Sequence, residues 1–232
     1  MISIVIPTLN EEKNLLNLLG SLKRQNFQNF EVIVADAGSS DKTIKIAESF
    51  GCKITNGGKP AEGRNRGAFE AQGEIILFLD ADVFLPDDFL EKAQREFKIR
   101  NLDISSFGLF PISEKKYTKV LFDIFYNYPL KILEKKWAHG AMAIMVKKSL
   151  HKKIGGFDKK IKIAEDHHYV QQASKLGRFG FVKKTKVFVS TRRIEKEGVI
   201  RLGLKYSYAE LYMKFKGPLK KEVFQYDFDN YN

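Results

Sequence analysis

Asp80 and Asp82 flank Ala81 at the end of the apolar run Glu74-Ile75-Ile76-Leu77-Phe78-Leu79, with Gly73 before it and Pro86 beyond. A run bounded in this way reads as a buried strand that empties into a loop at its carboxyl edge. Open α/β sheets bind their ligands at that edge. Two carboxylates two residues apart, on a chain just leaving a strand, can both reach one hard divalent cation. Such a cation keeps several waters and takes its remaining ligands from substrate phosphates. The competing reading has one Asp capping the following helix and the other solvated. Magnesium or manganese fits an all-oxygen site, and zinc is not implied because Cys52 is the only cysteine.

Elements able to carry such carboxylates are legible along the chain. Strand-like runs at 2–6, 30–35 and 75–79 alternate with helical patterns, which predicts βαβ units and a largely parallel sheet in an α/β protein. The first helix is expected to start at Asn10 as N-cap, with Glu11 and Glu12 in its first turn and Leu15, Leu16, Leu18, Leu19 and Leu22 on its buried face. Helices are also expected at 43–50, at 62–71 and from Pro86 to 99, with a short strand at 53–55. The second half reads as a strand at 102–110, a long helix at 117–136, a strand at 141–146, a helix at 166–176, one or two strands in 179–189, and a final helix from 195 to 215. Gly217-Pro218 ends that helix, and the residues after it form a tail.

At 232 residues, 44% apolar and 29% charged, the chain fits one globular domain. A single cysteine permits no internal disulfide and fits a reducing compartment, with the cytoplasm as default. The opening run stops at Pro7, too short for a signal peptide, and no stretch approaches 18 uninterrupted apolar residues. The net charge of +12 is concentrated in the lysine-rich second half. It implies a polyanionic partner, an anionic surface or simply a solvated lysine face. No nucleic-acid-binding pattern is present, so no nucleic acid is expected as partner.

Five segments, taken in order, resemble the family 2 glycosyltransferases of the GT-A fold, which transfer sugars from nucleoside-diphosphate donors. They are Ile4-Val5-Ile6-Pro7-Thr8-Leu9-Asn10-Glu11-Glu12, then Val32 to Thr43 with Asp36 at the strand end, Gly63-Arg64-Asn65-Arg66-Gly67-Ala68, Asp80-Ala81-Asp82, and Gly155-Gly156-Phe157-Asp158 followed by Glu165-Asp166. The resemblance implies a single GT-A domain with a Rossmann-like, mostly parallel sheet flanked by helices and a smaller acceptor-side portion. Residues 1–100 would form the nucleotide-sugar half, 101–216 the acceptor half and 217–232 the tail. It also implies a metal-dependent transfer to an acceptor hydroxyl with inversion at the anomeric centre. Asp166 would be the catalytic base, Asp82 the direct metal ligand, and Asp80 a second ligand or a ribose contact. Pro7, Thr8, Leu9 and Ala81 would line the donor pocket. Asp36 and Glu11 are candidates for base or ribose, against a turn-forming Asx residue and a first-turn helix acid. Arg64 would meet a phosphate or the base edge, or stand as a solvated helix residue.

His139, Gly140 and Glu165 are candidates for the acceptor side, and Arg192 and Arg193 for closure over the diphosphate. His167-His168 departs from the family pattern; neighbours on a helix point about 100° apart, so the pair is read as acceptor-pocket or surface residues and not as a metal site. The resemblance leaves a lipid-linked or cell-envelope glycan as acceptor. The aromatic, lysine-flanked stretch 117–137 and the final helix are read as core-facing, with peripheral contact at the inner face of the membrane as the alternative. The alternative function is a non-catalytic binder of nucleotide sugars or polyanions with the same fold.

Overall fold

The computed structural model describes residues 1–112, 119–120, 122–134, 137–161 and 163–190, together with 212 and 217; the side chains of 125 and 126 lie outside that description. The amino-terminal patterning produces four parallel strands, β1 (Ile2–Thr8), β2 (Phe30–Asp36), β3 (Lys53–Asn56) and β4 (Ile75–Leu79), ordered β3-β2-β1-β4. The connections carry α1 (Glu12–Lys23), α2 (Thr43–Ser49) and α3 (Pro60–Glu70). The rest of the described chain adds β5 (Val83–Phe84), α4 (Phe89–Ile99), β6 (Ile104–Pro111), a π-helical turn (Asp123–Asn127), α5 (Tyr128–Leu133), β7 (Ala143–Lys147), α6 (Lys148–Ile154), α7 (Glu165–Leu176) and β8 (Phe179–Val189). The eight-stranded sheet continues β4-β7-β6-β8-β5. β7 runs antiparallel between β4 and β6, and β5 antiparallel at the edge beside β8, so the sheet is mostly parallel with two reversed strands.

Alternation along the strands sorts the core into two layers. Ile2, Ile4 and Ile6 of β1 and Ile75, Leu77 and Leu79 of β4 face the layer that holds Leu15, Leu18, Leu19 and Leu22 of α1 and Phe89 and Phe97 of α4. Val5, Ile76 and Phe78 face the opposite layer, with Ala61 and Ala68 of α3 and Tyr169 and Val170 of α7. β1 runs two residues past its apolar run because Pro7 costs no ladder bond. The Thr8 carbonyl accepts from Ala37 N on the β2 side, so the Pro7 nitrogen faces the other side, where pairing with β4 has ended at Val5.

Several expectations are corrected. Asn10 does not cap α1: its backbone adopts φ 53°, and its Oδ1 accepts from Ser40 N at 2.9 Å. The helix's leading N–H groups are instead satisfied from the next loop, Glu11 N by Thr43 Oγ1 and Glu12 N by Asp41 Oδ2. Leu16 is half exposed. Pro86 opens a turn, accepting from Phe89 N, and α4 starts only at Phe89. β5 and α6 were not expected; two residues carry no periodicity, and α6 buries only Leu150 and His151. The long helix is represented by the π-helical turn and α5, while 113–118, 121, 135 and 136 lie outside the described residues. Of the final helix only residue 212 is described, and Arg192 and Arg193 are outside as well.

Close approach explains Gly67. A Cβ there would lie 2.3 Å from Val5 Cγ1, so α3 sits on β1 with no room for a side chain. Gly67→Val is expected to destabilise the protein by about 1–3 kcal/mol, read as a lower urea midpoint with an unchanged denaturant slope.

Candidate active site

Parallel strands deliver their carboxyl ends to one edge of the sheet, and that edge collects the predicted residues. Asp36 closes β2 and is buried. Its Oδ1 accepts from Thr8 Oγ1 at 2.9 Å and from the Ser39 hydroxyl, and its Oδ2 accepts from Gly38 N at 2.9 Å and Ser39 N at 2.8 Å. Those four bonds match the acceptor capacity of a carboxylate. Asp36 is therefore the post around which the loop after β2 winds, tied to the end of β1 through Thr8. Pro7 and Leu9 flank Thr8 and are half-buried. Glu11 sits at the start of α1, where its carboxylate accepts from Asn14 Nδ2.

Asp80 follows β4, and its backbone N–H donates to Met142 O across to the chain entering β7. Arg64, on the buried side of α3, is not a solvated residue: it is 4% exposed. Its Nη2 donates to Asp80 Oδ1 at 2.7 Å and its Nη1 to Glu165 Oε1 at 2.6 Å. Burial alone would weaken the guanidinium's hold on its proton, but the charges of Asp80, Glu165 and Asp166 outweigh it and raise the pKa. For Glu165, burial raises the carboxyl pKa, with Arg64 pulling down and Asp166 pushing up. Arg64 thus bridges the end of β4 and the start of α7, which lies 101 residues from it in sequence.

The motif following Arg64 fixes the other side of this bridge. Asn65 Nδ2 donates to Phe157 O at 2.8 Å, and Asn65 Oδ1 accepts from Phe157 N at 2.8 Å. The amide side chain stands in for a strand partner and joins Gly63-Arg64-Asn65 to Gly155-Gly156-Phe157. The Phe157 ring lies 5.4 Å from the Arg64 guanidinium carbon and stacks on Tyr169 at 3.9 Å. Tyr169 OH meets His151 Nδ1 at 2.8 Å. Sequence reasoning gave Asn65 no role; the available signal was a polar residue between two helix positions that pack inward.

Asp166 stands in the first turn of α7, where its Oδ1 accepts from His167 N at 2.7 Å. Gly140 lies against its backbone: a Cβ on Gly140 would be 2.3 Å from Asp166 O. His139, just before, places its ring 4.5 Å from that of His167 and 5.9 Å from Trp137. His167 and His168 point apart as expected, each meeting the glutamine four residues on, Gln171 at 2.7 Å and Gln172 at 3.3 Å. His167 is buried.

Ala81 is buried between the two aspartates, and Asp82 is half-buried, its carbonyl accepting from Ser190 N beyond β8. Among the described residues no group of three His, Cys, Asp or Glu side chains could hold a metal ion. Arg64 occupies one oxygen of Asp80.

Two measurable consequences arise here. Arg64→Leu leaves Asp80 and Glu165 without their shared partner and is expected to cost about 3–5 kcal/mol, read by urea unfolding. Burial pushes the pKa values of His151 and His167 from 6.5 down to about 4 and about 3, with His139 and His168 adding to the effect on His167. Below pH 6.5 the unfolded chain binds these protons and the folded one does not, so stability falls as pH falls through that window. The slope approaches about 1.4 kcal/mol per pH unit for each histidine. His167→Gln should flatten it by one histidine's share, seen in unfolding midpoints at neutral and mildly acidic pH.

A model of the family described as glycosyl transferase family 2 matches residues 3–185. Similar proteins include the poly(ribitol-phosphate) beta-N-acetylglucosaminyltransferase TarS of Staphylococcus aureus, 38% identical over 101 residues, covering 39% of this chain and 18% of that protein. An uncharacterized glycosyltransferase of Haemophilus influenzae is 39% identical over 117 residues, 47% of this chain and 46% of its own length. The matches thus span less than half of either relative. Among solved structures, TarS 1–349 in complex with UDP-GlcNAc aligns with a TM-score of 0.66 at 24% identity, over 82% of this chain and 58% of that one. The mannosyltransferase PcManGT from Pyrobaculum calidifontis, in complex with GDP-Man and Mn2+, aligns with a TM-score of 0.67 at 19% identity, over 93% and 70%. At these identities the likeness carries the fold, which is GT-A. The family match covers well over half of the chain, from the opening of β1 into β8, and the chain belongs to glycosyl transferase family 2.

Proposed function

We propose that this chain moves a sugar from a nucleoside-diphosphate donor to an acceptor hydroxyl, on a glycan or lipid-linked molecule, by a single displacement that inverts the anomeric centre. The observation that carries the proposal is the ion-paired row Asp80–Arg64–Glu165, with Asp166 next in sequence. It joins the acidic end of β4 to the acid pair of α7, so groups suited to a diphosphate and groups suited to a hydroxyl share one site. UDP-GlcNAc and GDP-Man in two similar structures favour a nucleotide sugar as donor.

The residues fit a divalent cation. Asp80 retains Oδ2 without a hydrogen-bond partner among the described residues, and Asp82 is only half-buried. A hard cation needs only one or two protein carboxylates when substrate phosphates complete its shell. Asp82 and Asp80 would hold magnesium or manganese, which when bound neutralises charge growing on the departing diphosphate. Thr8, held by Asp36, with Pro7 and Leu9, shapes the wall for the nucleoside, while Glu11 and Asp36 are the polar groups nearest that wall in sequence. Asp166 accepts the proton of the attacking hydroxyl. Glu165, held by Arg64, fixes the helix start that carries Asp166, and Gly140 lets the preceding loop back directly onto it. His139 lines the acceptor side, and Arg192 and Arg193, outside the described residues, would supply positive charge for the diphosphate.

Thermal stabilisation of the purified protein by UDP-, GDP-, CDP- and dTDP-sugars, with manganese and with chelator, tests the donor half. A ligand that binds only the folded state must raise the apparent midpoint. One nucleotide class should do so in a manganese-dependent way, and Asp82→Ala should abolish that dependence. Asp166→Asn should keep the shift and lose about 10²–10⁴-fold in transfer rate. No shift with any sugar nucleotide would sink the proposal in favour of a polyanion-binding role.

A further inference from the structure

The connection from β6 to β7 carries an apolar face that the core does not use. Val120, Ile124, Tyr128 and Ile132 recur every four residues and are 55%, 54%, 65% and 60% exposed. Ile112 at the head of the connection and Leu133 beside the stripe extend it. The core-facing expectation for this stretch accounts for Leu130, which is buried, and in part for Phe122, but not for these four.

Their outward position is enforced from the other side. Asn127 is fully buried; its Oδ1 accepts from Leu109 N at 2.9 Å and its Nδ2 donates to Leu109 O at 2.8 Å on β6. Rolling the segment to bury the stripe would break both bonds. On a regular α-helix a four-residue stride drifts by about 40° per step. The wider turn at Asp123–Asn127, in the middle of the stripe, takes part of that drift back and keeps the four side chains in one row.

Charge selects what this face meets. In sequence it lies between Lys115, Lys116 and Lys119 on one side and Lys131, Lys135 and Lys136 on the other, against Glu114, Asp123 and Glu134. Glu134 is engaged inward, accepting from Arg100, Lys183 and Phe181 N. Asp123 is engaged by Asn127. A second copy of the chain would set these lysines, and a net charge of +12, against their like. An anionic lipid surface satisfies the apolar row and the basic flanks together.

We propose that the outer face carrying Val120, Ile124, Tyr128 and Ile132 seats in the interface of an anionic phospholipid bilayer, with these four side chains at the acyl boundary and Lys119 and Lys131 among the headgroup phosphates. The inference stands apart from the donor chemistry. It would bring the acceptor side to the membrane, since the same connection runs on through Trp137 and His139 to Gly140 behind Asp166.

Co-sedimentation of the full chain with vesicles of phosphatidylcholine, with and without phosphatidylglycerol, tests it. Binding is expected only with the anionic vesicles. Ile124→Ser combined with Ile132→Ser preserves charge and should weaken the partition by about tenfold or more, while the thermal midpoint, read on the same preparation, stays unchanged because both sites are exposed. Equal binding by the double variant would overturn the proposal in favour of adsorption by charge alone. So would an absence of vesicle binding together with a concentration-dependent dimer that the double variant abolishes, which would assign the face to a second copy.

Discussion

A guanidinium taken out of water has to be paired, and Arg64 is paired twice, with Asp80 and with Glu165. Much of the site follows from that requirement. The two carboxylates come from the end of the central strand β4 and from the start of α7, which lie far apart in sequence. Desolvating one arginine with one partner would leave a costly imbalance; with two, plus the face of Phe157, the buried charge becomes the joint between the end of β4 and the start of α7.

Getting Arg64 to that position constrains α3 closely. The helix presses onto β1 through Gly67 and presents Arg64 to Glu165 and Asn65 to Phe157 in adjacent steps. Asn65 then fixes the loop that carries Phe157, and Phe157 stacks on Tyr169 within α7. The start of α7, with Asp166, is therefore located by a salt bridge and an amide clamp that originate on α3 and by the stack of Phe157 on Tyr169. Gly140 closes the arrangement from the opposite side. This is positional redundancy around the acid pair Glu165-Asp166.

The strands β1, β2 and β4 and the helix α1 were legible because they are written in apolar runs and periodicity, which burial largely follows, Leu16 excepted. Asp36 and the Asp80-Ala81-Asp82 loop were findable because a carboxylate at a strand end is a local feature. What was not legible depended on partners far away. Nothing near Asn10 announces that Asp41 and Thr43 would satisfy the first N–H groups of α1 in its place. Nothing near Arg64 announces Glu165. β7 reads as an ordinary strand, and only its neighbours show that it is reversed. The bulge in β8, where Lys183 to Thr185 fall outside the pairing with β6, is stabilised by Glu96, an acid that in sequence looks like helix surface.

The reversal of β7 has a further effect. Because β6 ends and β7 begins at the same edge of the sheet, the chain between Pro111 and Ala143 departs and returns without crossing the sheet. Both of its anchors are pinned by ladder bonds on strands that belong to the common scaffold. The excursion therefore has fixed ends. Asn127 and Glu134 tie it inward to Leu109 of β6 and Phe181 of β8, so a change of length or chemistry that spares those two ties and the anchors leaves the strands in place.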